Sequence, residues 1–246
     1  MKASPQDQLR LLDVQAIDTT LQQLAHRRKT LPEYAEVEAL TKVIASLEDE
    51  RVRAEVDADD LDRDITRLER EVDQVRQRFN KDQERLADGR LPARELVALE
   101  HETVSLKRRQ SELEDAELEL MEKRESAQSK LDGVDGRIAS ARERREAAEA
   151  KRDLALSEIG KEEDWKLTSR KPLVADLPAD LVTLYDQIRS QQGGLGAAAV
   201  RQGRCGGCRL ELAGADRARV KAAPPDDVVR CEECRRIMVR TAESGL

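Results

Sequence analysis

Residues 37–79 read VEALTKVIASLEDERVRAEVDADDLDRDITRLEREVDQVRQRF, and this stretch decides the fold. Apolar side chains recur along it at alternating intervals of three and four residues, with Arg51 as the one polar intruder. A sustained period of about 3.5 residues keeps one narrow seam of a helix facing a partner helix along a supercoil. The repeat consists of Val37, Leu40, Ile44, Leu47, Arg51, Ala54, Ala58, Leu61, Ile65, Leu68, Val72, Val75 and Phe79.

The same spacing resumes between Leu96 and Ile138, where four polar residues interrupt it. Between the two repeats, Gly89 permits a left-handed helix cap and Pro92 cannot continue the preceding helix. Two long helices joined by so short a turn run antiparallel. The sequence therefore predicts a coiled-coil hairpin of a helix at about 33–87, a turn at 88–92 and a helix at about 93–160, whose register stays open.

A further amphipathic helix is predicted at about 4–29, folding back on the base of the hairpin to complete a helical domain over residues 1–160. Its apolar side is expected to carry Leu9, Leu12, Ala16, Ile17, Leu21 and Leu24.

Residues 161–194 are predicted to form an irregular connector with a short helix at about 179–191, because Pro172 and Pro178 punctuate the stretch. Trp165 and Tyr185 are expected to pack this connector against its neighbours.

Gly133 and Gly136 lie inside the returning helix, where each costs about 1 kcal/mol relative to alanine. Close packing or a mild kink is one explanation, and a hinge is the other.

Composition limits the classes of protein that the chain can represent. Aromatic residues make up 2% and charged residues 39%, which is typical of a long exposed helical hairpin and not of a large globular core. The net charge of -7 argues against wrapping nucleic acid over the whole surface. We find no signal peptide and no long apolar span, so we expect a cytoplasmic protein without membrane contact.

Two Cys-x-x-Cys pairs, Cys205/Cys208 and Cys231/Cys234, are the chemically specific motif. Each pair lets two thiolates converge on one ion from a tight turn, so together they predict one structural Zn²⁺ held by four sulfurs. Structural disulfides are disfavoured in a reducing compartment, and redox pairs normally belong to a thioredoxin-like unit that this sequence lacks. Four thiolates also leave no open position for catalysis.

The sequence predicts a C4 zinc ribbon at 195–246, with a strand at 197–200, a strand at 209–212, a helix at 215–222 and strands at 228–230 and 237–239. Ten cations against six acids between residues 201 and 240 give this region a modest basic character. No aromatic residue follows Tyr185, so stacking on unpaired bases is excluded and arginine would have to make any nucleic-acid contact. The candidate contacts are Arg204, Arg209, Arg230, Arg235, Arg236 and Arg240.

The chain resembles a family of bacterial proteins with a long N-terminal helical hairpin and a C-terminal C4-type zinc ribbon. The resemblance spans nearly the full length and is carried by residues 95–102 with 106–109, by 177–181 with Tyr185, and by both cysteine pairs with their flanks, including 231–237. It implies zinc ligands at the four cysteines and a ribbon that binds nucleic acid, carried on a coiled-coil arm.

The sequence features bear differently on three functional classes. The first is a non-enzymatic regulatory module that contacts RNA, DNA or the associated machinery through the ribbon and a protein partner through the hairpin. The alternative is an adaptor or chaperone-like scaffold that makes only protein contacts. An enzyme with a small-molecule substrate is disfavoured, because the sequence offers neither a phosphate-binding loop nor a nucleophile-base pair. The oligomeric state stays open.

Overall fold

The computed structural model describes residues 1–246 and has two compact units, Ala35–Glu149 and Met1–Tyr34 with Ala150–Leu246. The prediction of a mainly helical chain with a small C-terminal strand region is confirmed. No helix is both long enough and apolar enough to cross a membrane. The elements are α1 (Pro5–Lys29), α2 (Pro32–Asp88), α3 (Ala93–Ala175), α4 (Ala179–Gln191), β1 (Ala197–Arg201), β2 (Arg204–Cys205), α5 (Gly214–Ala222), β3 (Val229–Arg230) and β4 (Ile237–Val239).

The unit Ala35–Glu149 is a hairpin made by α2 and α3. Its buried apolar side chains fall on the two repeats, because a 3.5-residue period keeps these positions on the facing sides of both helices. They are Leu40, Ile44, Ala58 and Val72 of α2, and Leu99, Leu113, Val134 and Ile138 of α3, and the same spacing continues on α3 with Ala141 and Ala148.

Polar residues at seam positions settle the register of the hairpin. Arg51 donates from Nε to Asp135 at 2.8 Å, and Arg124 donates from Nε to Asp62 at 2.8 Å. Each of these seam arginines therefore pairs with a carboxylate on the opposite helix. These side chains are partly exposed, so each pair adds little to stability. Their main effect is to favour one antiparallel alignment over its neighbours.

The interior glycines of α3 are not explained by close packing, which corrects one of the two expectations. The helix is continuous through Gly133 and Gly136, and a Cβ added at either would meet no atom within 4 Å. Whether they act as a hinge stays a prediction. At the tip, Gly89 does adopt the left-handed conformation, with φ of 62°.

The returning helix does not end near Gly160, as the sequence suggested, but continues to Ala175 with Pro172 inside it. An interior proline removes a backbone hydrogen bond, which normally ends a helix. Here Leu173 and Val174 in the final turn pack against the apolar cluster of this unit, and that burial offsets the loss. The connector predicted at 161–194 is therefore mostly helix.

The two aromatic residues of this region have opposite environments. Tyr185 is fully buried in the cluster, as expected, whereas the Trp165 side chain on α3 is 62% exposed. The expectation that Trp165 packs against a neighbour is wrong, because the helix continues and turns that residue to solvent.

The buried face of α1 matches the prediction only in part. Leu24 is buried as expected, but Leu9 is 46% exposed, and Leu11 and Val14 are buried instead, together with three polar side chains, Gln8, Gln15 and Asp18. An apolar pattern cannot indicate a face whose contacts are largely hydrogen bonds.

One apolar cluster joins elements that the sequence assigned to separate domains. Leu11 of α1, Leu181 and Tyr185 of α4, and Ile237 and Val239 of β4 are all buried in it. The ribbon predicted as a domain at 195–246 is thus part of a larger unit with α1, α4 and the last part of α3. The domain boundary predicted at residue 160 does not match these units either, because Ala150–Leu246 belongs with Met1–Tyr34.

The strands form one small sheet in the order β2-β1-β4-β3, with β1 parallel to β4 and the outer pairs antiparallel. Residues 209–212 are not the predicted strand and contribute only an isolated bridge between Arg204 and Glu211. Beyond β3, Lys2 forms a bridge with Asp227, so the N-terminal residues pair with the segment that precedes this edge strand.

Asp18 is the polar centre of this unit and is 1% exposed. Arg170 of α3 donates two hydrogen bonds to its carboxylate, at 2.8 and 3.1 Å, and the Tyr185 hydroxyl of α4 donates one at 2.8 Å. Arg189 lies 3.5 Å from the same carboxylate. Burial, with the adjacent Asp18 carboxylate, raises the pKa of Tyr185 above its ordinary value, so its hydroxyl stays protonated and donates.

We expect Asp18→Asn to destabilise this unit by about 3 kcal/mol, because loss of the buried carboxylate leaves Arg189 without a counterion and Arg170 with only the more exposed Asp186. Faster amide exchange in α1 and α4, followed by mass spectrometry, measures the loss. Asp186→Asn is the matched control, since Asp186 contacts the same Arg170 at 3.4 Å but is about half exposed. Equal effects of the two variants would contradict the central role of Asp18.

Candidate metal centre

Each cysteine pair lies in a tight turn with the same backbone hydrogen bonds. The amide of Arg209 donates to the carbonyl of Cys205 at 2.7 Å, and the amide of Arg235 donates to the carbonyl of Cys231 at 2.9 Å. Both arginines have a left-handed backbone, with φ of 65° and 59°. The turns are therefore two copies of one structure, and each ends on an arginine. We call them the first and the second knuckle.

The two knuckles bring four sulfur atoms together. The Sγ atoms of Cys205 and Cys234 are 3.8 Å apart, those of Cys208 and Cys231 are 3.9 Å apart, and all four lie within 4.8 Å of one another. Zinc at about 2.3 Å from four tetrahedral sulfurs requires sulfur atoms about 3.8 Å apart. The donors therefore fit one Zn²⁺ in a closed, structural site, and the predicted cofactor is confirmed.

The thiol pKa values show which donors need the metal to ionise. Burial raises the pKa of Cys205 to about 12, although the amides of Gly207 and Cys208 point at its sulfur and oppose the shift. Burial also raises the pKa of Cys231. For Cys234 burial acts in the same direction, but hydrogen bonds from the Arg236 backbone and side chain and from the Cys231 and Cys208 thiols together outweigh it and lower the pKa to about 7. Binding zinc as thiolates therefore displaces protons near neutral pH.

The two knuckles differ in their surroundings. A Cβ at Gly206 would lie 2.5 Å from the Ala199 carbonyl oxygen, so the first knuckle needs glycine where it approaches β1. The second knuckle carries Glu232 and Glu233 at the corresponding positions, and both are exposed. The second knuckle therefore accepts long side chains at positions where the first knuckle needs glycine.

Four of the six predicted nucleic-acid contacts have exposed side chains. Arg209 makes no ion pair, whereas Arg204 lies 3.9 Å from Glu211 and Arg235 lies 3.5 Å from Glu232. Arg230 donates to the carbonyl of Arg235 at 2.9 Å. These four arginines are distributed around the two knuckles and remain candidates: Arg204, Arg209, Arg230 and Arg235.

The other two arginines have a structural role that the charge pattern did not reveal. Arg236 donates to the carbonyls of Leu195 and Gln192 at 2.9 and 2.8 Å. Arg240 donates to a row of carbonyls between residues 220 and 227. Since their donors are engaged by the fold, we do not retain Arg236 and Arg240 as nucleic-acid contacts.

A helical hairpin joined to a C4 zinc ribbon is the architecture of a binding protein, in which the metal is structural. Residues 14–193 match the model of the CT398-like coiled coil hairpin domain, and residues 204–238 match the C4-type zinc ribbon domain. The chain belongs to the CT398-like coiled-coil hairpin family, and the resemblance inferred from sequence is confirmed.

Relatives extend over the whole chain. An uncharacterized protein of Mycobacterium tuberculosis is 36% identical over 240 residues, which is 98% of each chain. A solved structure from Mycobacterium smegmatis has a TM-score of 0.84 at 35% identity and covers 98% of this chain and 100% of its own. CT398 from Chlamydia trachomatis has a TM-score of 0.66 at 19% identity, covering 96% and 98% of the two chains, which shows a shared fold.

We expect removal of zinc by a chelator under reducing conditions to unfold the ribbon while the hairpin keeps its helices. Amide exchange resolved by segment, together with the zinc content, measures this. Acidification from about pH 8 to about pH 5 should have the same effect, because protons compete with zinc for the sulfur atoms as the pH falls. The raised pKa values of Cys205 and Cys231 strengthen that competition. Protein purified under reducing conditions with far less than one zinc per chain would contradict the assignment.

Proposed function

We propose that this chain is a non-enzymatic regulatory module of the cytoplasm. Its ribbon contacts the phosphate backbone of RNA or DNA, and its hairpin holds a protein partner. The observation that carries the proposal is the position of Arg209 and Arg235, one at the end of each knuckle.

The backbone conformation of these arginines is unusual. A residue with a Cβ in the left-handed region is disfavoured by about 1 kcal/mol relative to glycine, which is the common solution for such a turn. Strain of this kind, repeated in both knuckles, favours a role for the side chain over a role for the backbone. Both side chains are exposed, so binding an external anion is the role that best fits them.

The chemistry of the ribbon favours phosphate over bases. Arginine forms paired hydrogen bonds with phosphate oxygens, and such contacts position a protein on nucleic acid without reading its sequence. The ribbon has no aromatic side chain for stacking. Binding of this type is weak, non-specific in sequence and strongly dependent on salt.

The alternative is an adaptor that contacts only proteins. The net charge of -7 favours it, as do four exposed apolar side chains on α3 of the hairpin, Val97, Val104, Leu118 and Met121. In that case Arg209 and Arg235 would only offset the negative charge of the zinc ion with its four thiolates.

We expect Arg209→Gly with Arg235→Gly to retain zinc and fold, while its affinity for labelled single-stranded RNA and duplex DNA falls about tenfold or more at low salt. Losing two phosphate contacts should also lower the salt slope of the binding constant by about 1.4 on single-stranded RNA and about 1.8 on duplex DNA. Fluorescence anisotropy across a salt series measures both quantities.

The matched control is Arg201→Gln with Lys221→Gln, which removes the same charge from exposed ribbon positions outside the knuckles. We expect its affinity to stay within about threefold of the original, since its side chains do not end a knuckle. Absence of binding by the unaltered chain at low salt, or an equal loss in the control, would contradict the ribbon contact. Loss of zinc in the glycine variant would instead support the adaptor.

A further inference from the structure

One flank of the hairpin carries a groove between α2 and α3. It consists of three adjoining depressions of about 310, 730 and 560 Å³. The first two share Ala54, Asp57 and Lys130, and the last two share Arg137, so the three follow one another as a groove along the hairpin. We call it the flank groove.

The floor of the flank groove is apolar and accessible. Leu47, Leu61 and Ala127 line it and are only partly buried, and Val43 is 47% exposed. The seam between the two helices uses one side of these residues and leaves the other side uncovered. The floor therefore offers apolar contact to a further element.

One wall of the flank groove is a ladder of cations on α3. Lys123, Lys130, Arg137 and Arg144 follow one another at intervals of seven residues, and all four line the channel. Arg137 pairs with Glu50 at 2.5 Å, whereas the other three make no ion pair. On a chain of net charge -7, this wall holds three unpaired cations at the spacing of a heptad. The opposite wall, on α2, adds Arg53 and the acidic residues Glu36, Glu50 and Asp57, so the lining has five cations against three acids and stays basic.

Gly133 lies in the middle of the flank groove and has no role in the hairpin's own packing. An interior glycine costs about 1 kcal/mol of helix stability relative to alanine. Its effect here is to keep the channel open beside Lys130 and Arg137. Gly136, one turn further on, does not line the channel.

We infer that the flank groove binds an amphipathic helix of a protein partner, with an apolar stripe on the floor and acidic side chains facing the cation ladder. The inference rests on the proposed function in assigning a protein partner to the hairpin. A channel parallel to two helices, with charges at heptad spacing, matches the repeat of a third helix. Unpaired lysines and an arginine select acidic flanks. The apolar floor has no complement in a phosphate backbone, which favours protein.

The test uses the full-length chain and a labelled four-heptad helical peptide with Leu at positions a and d and Glu at e and g. A matched peptide carries Lys in place of Glu. We expect the Glu peptide to bind about tenfold more tightly than the Lys peptide. Lys123→Glu with Lys130→Glu should reverse this preference.

The glycines provide the decisive pair of variants. Gly133→Gln fills the channel and should weaken binding of the Glu peptide about tenfold, whereas Gly136→Gln should leave it unchanged. Both variants should gain helix stability, measured by urea unfolding, because neither Cβ meets an atom within 4 Å. Equal effects of the two glycine variants, or no binding of the Glu peptide, would overturn the inference.

Sedimentation of the chain alone tests whether the flank groove instead binds a second copy of the chain. If the chain forms a dimer and Gly133→Gln abolishes it, the flank groove is an interface between two copies of the chain. That result would overturn the inference of a partner helix. Nucleic-acid affinity of the Gly133→Gln variant should equal that of the original chain. Peptide binding without nucleic-acid binding would therefore reject only the ribbon contact, and the reverse result would reject only the flank groove.

Discussion

The bond between four sulfurs and one metal ion decides whether the C-terminal part of this chain has a fold. Its strands are two to five residues long, and the apolar cluster beneath the sulfurs is small. The residues around the sulfurs gain too little from this burial to offset their conformational entropy, so metal binding supplies the difference. The same constraint sets the backbone of both knuckles. It therefore also fixes the direction in which Arg209 and Arg235 leave the surface.

The zinc site is held in its unit by buried polar contacts as much as by apolar ones. Gln15 of α1 accepts from the amides of Gly196 and Ala197 at 2.7 and 3.2 Å, just where β1 begins. Gln8, also on α1, donates to the carbonyl of Pro225 at 3.2 Å. Together with Asp18, these side chains attach one helix to α4 and to the sheet. A buried polar network tolerates few alternative arrangements, so it specifies one docking geometry.

Sequence analysis predicts the hairpin and the metal site because both signals are local. A 3.5-residue repeat and two Cys-x-x-Cys turns need no information from elsewhere in the chain. The end of α3 beyond Pro172 and the buried face of α1 depend on partners far away in sequence, such as Asp18 and Arg170. Apolar periodicity does not describe contacts of that kind. The domain boundaries failed for the same reason, since the ribbon shares its core with α1.

The arginines show why a count of charges overestimates a binding surface. Arg170 is engaged by a buried carboxylate, and Arg236 and Arg240 by backbone carbonyls, so their charge serves the fold. Arg209 on the ribbon has no acceptor within the chain. Lys123, Lys130 and Arg144 on the hairpin make no ion pair either, and they follow one another at intervals of seven residues along the flank groove. A cation that the fold leaves without an acceptor is free for a partner, and an exposed pair such as Arg235 with Glu232 can exchange its carboxylate for a phosphate. The two binding proposals rest on such cations, one set at the knuckles and the other along the flank groove.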